Sequence, residues 1–98
     1  MLLAHAVTLA GARSYLAALA DQALTFDASV EYERVLLQVD FLHGDFIPGI
    51  ARVPAYGRDV LFDVAYAAIE ELAAHGVDLF SVELLLDMLE MAWAKDLP

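Results

Sequence analysis

The sequence predicts an all-α protein: a small four-helix bundle-like domain with a long ordered loop between helices 2 and 3. Three observations carry this. Apolar residues recur at helical spacing through most of the chain. Three of the five glycines and two of the three prolines fall between residues 44 and 57, which leaves long uninterrupted segments on either side. His75-Gly76-Val77-Asp78 then reads as a helix stop followed at once by a helix start. Ninety-eight residues allow one domain, residues 1–98, with no room for a second core.

Residues 2–22 are the first helix, rich in alanine, the best helix former. Ala4, Gly11 and Ala18 recur every seven residues, a row of small side chains that suits close packing in a core. Leu24, Thr25 and Phe26 lead out, with Asp27 or Ser29 as the cap of the next element. Residues 28–43 fit two periods. As a helix, Tyr32, Val35, Leu36, Val39 and Leu42 share a face; as a strand, Val35, Leu37, Val39 and Phe41 alternate with Leu36, Gln38 and Asp40. The segment is long for a strand and has no strand of similar quality to pair with, so its backbone groups are best satisfied as a helix.

Residues 57–75 form the third helix. Val60, Leu61, Val64, Ala68, Ile69 and Leu72 make its apolar arc, and Asp59, Asp63, Tyr66 and Glu70 a narrow polar one. Gly76 suits a left-handed stop, Asp78 a cap, and Val77 with Val82 a hydrophobic staple, so helices 3 and 4 form a tight hairpin. In helix 4, residues 79–95, Glu83, Asp87, Glu90 and Ala94 fill an arc of roughly 60°. Nearly all the rest is apolar. Such a helix is either central in its own bundle or turned on one flank toward a second subunit. Lys95 to Pro98 read as a short tail.

The loop FLHGDFIPGIARVPAYGRD, residues 41–59, is too apolar for a solvated linker. Pro48-Gly49 suits a type II turn, and Pro54 keeps Val53 out of helical geometry. The expected result is a packed clasp, tacked down by Phe46, Ile47, Ile50, Val53 and Tyr56, with Asp45, Phe46, Arg52 and Tyr56 as a binding edge. Arg52 and Arg58 are placed to pair with the acidic helices. Within this loop HGDFIPGI, residues 43–50, resembles the catalytic-loop motif HGDxxxxN of the aminoglycoside phosphotransferase and choline kinase superfamily. There the Asp is a catalytic base and the Asn binds magnesium. His43, Gly44 and Asp45 match, but Ile50 stands in place of the Asn, and no Gly-rich loop or strand Lys precedes it. The match covers eight residues, and the family's roles are not carried across.

Fifteen acidic residues face five basic ones, for a net charge of −10 and a pI near 4.3. That balance opposes direct nucleic-acid binding and anionic membrane, and favours a basic protein partner. Apolar residues make up 61% of the chain and the mean hydropathy is +0.62. A small domain cannot hide that share, so some apolar surface is expected to meet another chain, which makes a homodimer an open possibility. The N-terminus lacks a basic n-region, Arg13 interrupts its apolar run, and there is no cysteine, so the chain reads as a mature cytoplasmic protein.

No nucleophile motif, phosphate loop or metal-ligand spacing is present, and no cofactor or metal is implied. His5, His43 and His75 read as separate helix-end histidines. What remains are two acidic stripes, Asp59, Asp63 and Glu70 on helix 3 and Glu83, Asp87 and Glu90 on helix 4. The leading expectation is a small acidic non-catalytic binding module, of inhibitor, immunity or anti-CRISPR character, that caps a basic surface of a partner. The alternatives are a homodimeric assembly subunit joined through helix 4, or a small ligand-binding or enzymatic bundle using His43 and Asp45.

Overall fold

The structure, a computed structural model, describes residues 2–97 and is all-α: α1 Leu3–Gln22, α2 Phe26–His43, α3 Arg58–Leu72 with a 3-10 turn Ala73–His75, and α4 Leu79–Lys95. The ambiguous segment is a helix, and it begins two residues earlier than its pattern suggested. Its cap is Thr25, whose hydroxyl accepts from the Ala28 amide at 3.1 Å. Asp27 sits in the first turn, and Ser29 is drawn away to donate to the Ala20 carbonyl at 2.8 Å. The α3–α4 hairpin closes as a Schellman motif. The Val77 amide bonds to Leu72 O at 3.1 Å and Gly76 N to Ala73 O at 3.2 Å, with Gly76 at φ 95°. Asp78 caps α4 by accepting from the Ser81 amide.

Each helix occupies a corner. α1 packs on α2 and α3, and α4 packs on the same two, so α2 and α3 are diagonal, as are α1 and α4. His5 near the start of α1 meets His43 at the end of α2 and His75 at the end of α3. At the other end Leu24, Tyr32 and Arg58 all reach Asp96, just past α4. α2 and α3 therefore run parallel. A connection between parallel helices must return the length of the bundle, about 27 Å for an 18-residue helix. Residues 44–57 are that return, which is why the loop is long. The order of directions is up, down, down, up, a bundle with one crossover.

The crossover lies along α1 and is held mainly by polar ties. Arg13 donates to the Pro48 carbonyl, and Ser14 Oγ accepts from the Ala51 amide at 2.9 Å. Val53 packs against the core, whereas Phe46, Ile47, Ile50 and Tyr56 stay 44–51% exposed, so the apolar tacking expected of them is not made. The Pro48-Gly49 turn does not form either, since Gly49 lacks the positive φ that a type II turn requires.

The core is built from Leu9, Ala12, Leu16 and Leu19 of α1, Tyr32, Val35 and Val39 of α2, Leu61, Ala65, Ile69 and Leu72 of α3, and Val82, Leu85, Leu89 and Ala92 of α4. Of the row Ala4, Gly11, Ala18 only Ala18 packs against it. Ala4 is exposed, and nothing lies within 4 Å of a Cβ added at Gly11. Val60 belongs outside the α3 arc, at 41% exposure. α4 is not central: it takes a corner, and Phe80, Leu84 and Met91 face solvent.

Candidate binding surface and its polar ties

The six predicted stripe residues, Asp59, Asp63, Glu70, Glu83, Asp87 and Glu90, are all exposed. The hairpin brings Glu70 of one stripe and Asp87 and Glu90 of the other around Tyr66. Tyr66 of α3 marks the seam: desolvation pushes its hydroxyl pKa up, and the charges of Glu90, Glu70 and Asp87 push it the same way. Among the described residues no Lys or Arg pairs with any of the six. The cations are used elsewhere. Arg13 forks onto Asp40 at 2.7 and 3.2 Å, Arg58 bonds Asp96 at 2.7 Å, and Arg34 and Lys95 both reach Glu31. Arg52 is exposed and makes no ion pair among the described residues. Of the two arginines expected to pair with the acidic helices, Arg58 does so at Asp96, the C-cap of α4, while among the described residues Arg52 makes no such pair and neither reaches the acidic stripes.

On α4 the acidic arc adjoins an apolar one. Phe80, Leu84 and Met91 follow i, i+4, i+11 spacing and fall within roughly 40° of each other, beside Asp87. They are 77%, 46% and 60% exposed. The face thus joins unpaired carboxylates to unburied apolar side chains, a combination that supplies both anchors and charge selectivity in recognition.

The loop residues do not form one patch. Asp45 follows α2 at the histidine end and Tyr56 precedes α3 at the other, with Phe46 and Arg52 spread between them along the crossover. Asp45 is exposed and makes no hydrogen bond or ion pair among the described residues.

Two features escaped the sequence. The first is Asp96, read as tail but fully buried. Its Oδ1 accepts from the Leu24 amide at 2.7 Å, and its Oδ2 from Tyr32 Oη at 3.0 Å and Arg58 Nη1 at 2.7 Å. It ties the ends of all four helices. Burial, then the hydrogen bond and charge of Asp96, push the Tyr32 hydroxyl well above the ordinary tyrosine range. Arg58 also lies over the Trp93 ring, 5.6 Å from its centroid.

The second is the meeting of all three histidines. His43 Nδ1 donates to Val39 O at 2.7 Å, which leaves its Nε2 an acceptor for His5 Nε2–H at 3.0 Å. The His75 ring stacks on His5 at 5.2 Å. Thr8 donates to Glu71 at 3.4 Å, and its oxygen accepts from His75 Nε2–H at 3.2 Å. Burial, then the neighbouring His43 and His75, hold the His5 pKa below its ordinary value. Among the described residues no group of three His, Asp or Glu has the arrangement to hold a metal ion. No helix among them is long and apolar enough to cross a membrane.

Compared with known protein families, characterised proteins and solved structures, the chain matches none.

Proposed function

We propose that this protein is a non-catalytic binding module whose α3–α4 face caps a basic surface of a partner protein, as an inhibitor or an immunity or anti-CRISPR factor would. One observation carries the reading: six exposed carboxylates stand on the hairpin without an internal cation, beside exposed Phe80, Leu84 and Met91. Like charges left together repel and stay solvated, a modest cost that an incoming Arg or Lys would relieve. The lack of cysteine suits a reducing compartment such as the cytoplasm.

The test is a pull-down from host lysate, with bound proteins identified by mass spectrometry and the affinity of any candidate then measured against salt. Wild type should retain a protein with a basic patch. Asp87→Lys with Glu90→Lys should weaken that binding by about tenfold to a hundredfold, and 0.5 M salt should weaken it too, since exposed pairs are screened. A partner indifferent to both charge reversal and salt sinks the proposal.

A further inference from the structure

The outward face of α2 carries a pattern that the acidic-face reading does not use. Its core face is Ala28, Tyr32, Val35 and Val39. Half a turn away lie Phe26, Val30, Leu37 and Phe41. Phe26, Leu37 and Phe41 are 82%, 67% and 79% exposed, on a face where a lone helix would carry charge. The charges bordering this stripe are Glu33 and Arg34 at mid-helix, both exposed, and Asp27 and Asp40 toward its ends, Asp40 being already held by Arg13.

The stripe reads the same in both directions. From the point midway between Glu33 and Arg34, an acid stands opposite a base, Val30 opposite Leu37, and Phe26 opposite Phe41, each pair at equal distance. We propose that two copies of this chain pair antiparallel through α2 about a two-fold axis at that point. Phe26 of each copy then meets Phe41 of the other, Val30 meets Leu37, and Glu33 meets Arg34 twice. This self-complementarity is what an isologous contact requires. Glu33 has no basic partner among the described residues. Arg34 reaches only Glu31, at 3.2 Å, with its side chain 65% exposed, so both charges are free to pair across the axis.

The apolar stripe of α4 lacks the property. Folded about its own midpoint, it sets Phe80 on Met91 but Leu84 on Asp87. A second copy therefore fits α2 rather than α4, the helix whose surplus apolar girth first suggested a dimer. With two phenylalanines a side, each offering ~150–250 Å², the contact buries roughly 1,000 Å², enough for a specific but modest dimer.

Sedimentation equilibrium over protein concentrations up to about 100 µM reads the association directly. Wild type should approach twice its 10.7 kDa mass. Leu37→Asp or Phe41→Ser should be monomeric with an unchanged helical spectrum, because both positions are exposed. Glu33→Arg should raise Kd at least tenfold by clustering four cations at the axis, and adding Arg34→Glu should restore it to within about threefold. A wild type that stays monomeric overturns the proposal. So does a dimer broken by Phe80→Ser but not by Phe41→Ser, or a double charge swap that fails to recover what the single one lost.

Discussion

Replacing Asp96 by alanine should come close to unfolding the protein, although the residue stands third from the end of the chain. The carboxylate is fully buried and accepts three hydrogen bonds, from Leu24 N, Tyr32 Oη and Arg58 Nη1. Its removal leaves an amide and a phenol without acceptors, at ~1–3 kcal/mol each. It also leaves the Arg58 cation, whose side chain is 25% exposed, without its counter-charge. Breaking a buried pair from one side costs ~3–5 kcal/mol. These terms share one carboxylate and do not add, so the expected loss is about 4 kcal/mol. A domain of this size holds ~5–15 kcal/mol in total. Urea unfolding followed by circular dichroism is the assay. With a slope of ~1.3 kcal/mol per molar, the midpoint should fall by about 3 M. Tyr32→Phe removes one donor and leaves the other two, so it should cost only ~1 kcal/mol. Asp63→Ala, on the exposed face, should change stability by no more than ~0.5 kcal/mol. An Asp96→Ala midpoint within about 0.7 M of wild type would refute the claim that this carboxylate ties the helix ends.

The histidine end should make stability depend on pH. The folded pKa of His5 lies below its ordinary 6.5, so on acidification the unfolded chain takes up that proton first. Stability is retained above pH ~6.5 and falls as the pH drops below it, until the depressed folded value is reached. The groups facing His5 are His43 from α2 and His75 from the turn after α3, with Asp78 in the same cleft and Glu71 bonded to Thr8, which also contacts His75. Urea midpoints at pH 7.5 and 5.5 should show the fall, smaller in His5→Gln; a midpoint that rises on acidification contradicts a lowered His5 pKa. Gly76→Ala should cost ~1–2 kcal/mol from backbone strain alone, since Gly76 holds φ 95° and an added Cβ would touch nothing within 4 Å. A melting temperature lowered by several degrees is the expected readout.

The features legible in the sequence were those fixed by neighbours in the chain. Gly76 and Asp78 announce the α3–α4 hairpin because both act through the backbone within a few residues of themselves. The acidic stripes are legible because side chains on one helix share a face at fixed spacing. α1 was harder, for alanine is equally at home in core and on surface, and of the row Ala4, Gly11, Ala18 only Ala18 packs against the core. The crossover showed its length but not its purpose, which depends on α2 and α3 lying parallel and diagonal. Asp96 and the histidines were illegible for the same reason. Asp96 is joined to Leu24, Tyr32 and Arg58, and His5 to His43 and His75, across separations that carry no periodicity.

The high apolar content and the high negative charge answer to different faces of the bundle. A charge of −10 spread evenly over a body with 5628 Å² of surface would oppose any self-association. Along the chain it is nearly even, with four acids to one arginine on α2 and eight acids to two cations on the α3–α4 hairpin, so what differs is the face and not the helix. The six exposed stripe carboxylates stand on the α3–α4 hairpin, while the apolar stripe of α2 sits on the helix diagonal to α3 and is bordered at its centre by one acid and one base. The faces proposed for the partner and for the second copy therefore turn different ways. Two copies joined through α2 would leave their acidic hairpins open to a partner, and the repulsion to be overcome in forming the dimer is that of α2's own acids, Asp27, Glu31, Glu33 and Asp40. The corner arrangement makes this separation possible, and the crossover along α1, by letting α2 and α3 run parallel across the diagonal, is what sets those corners.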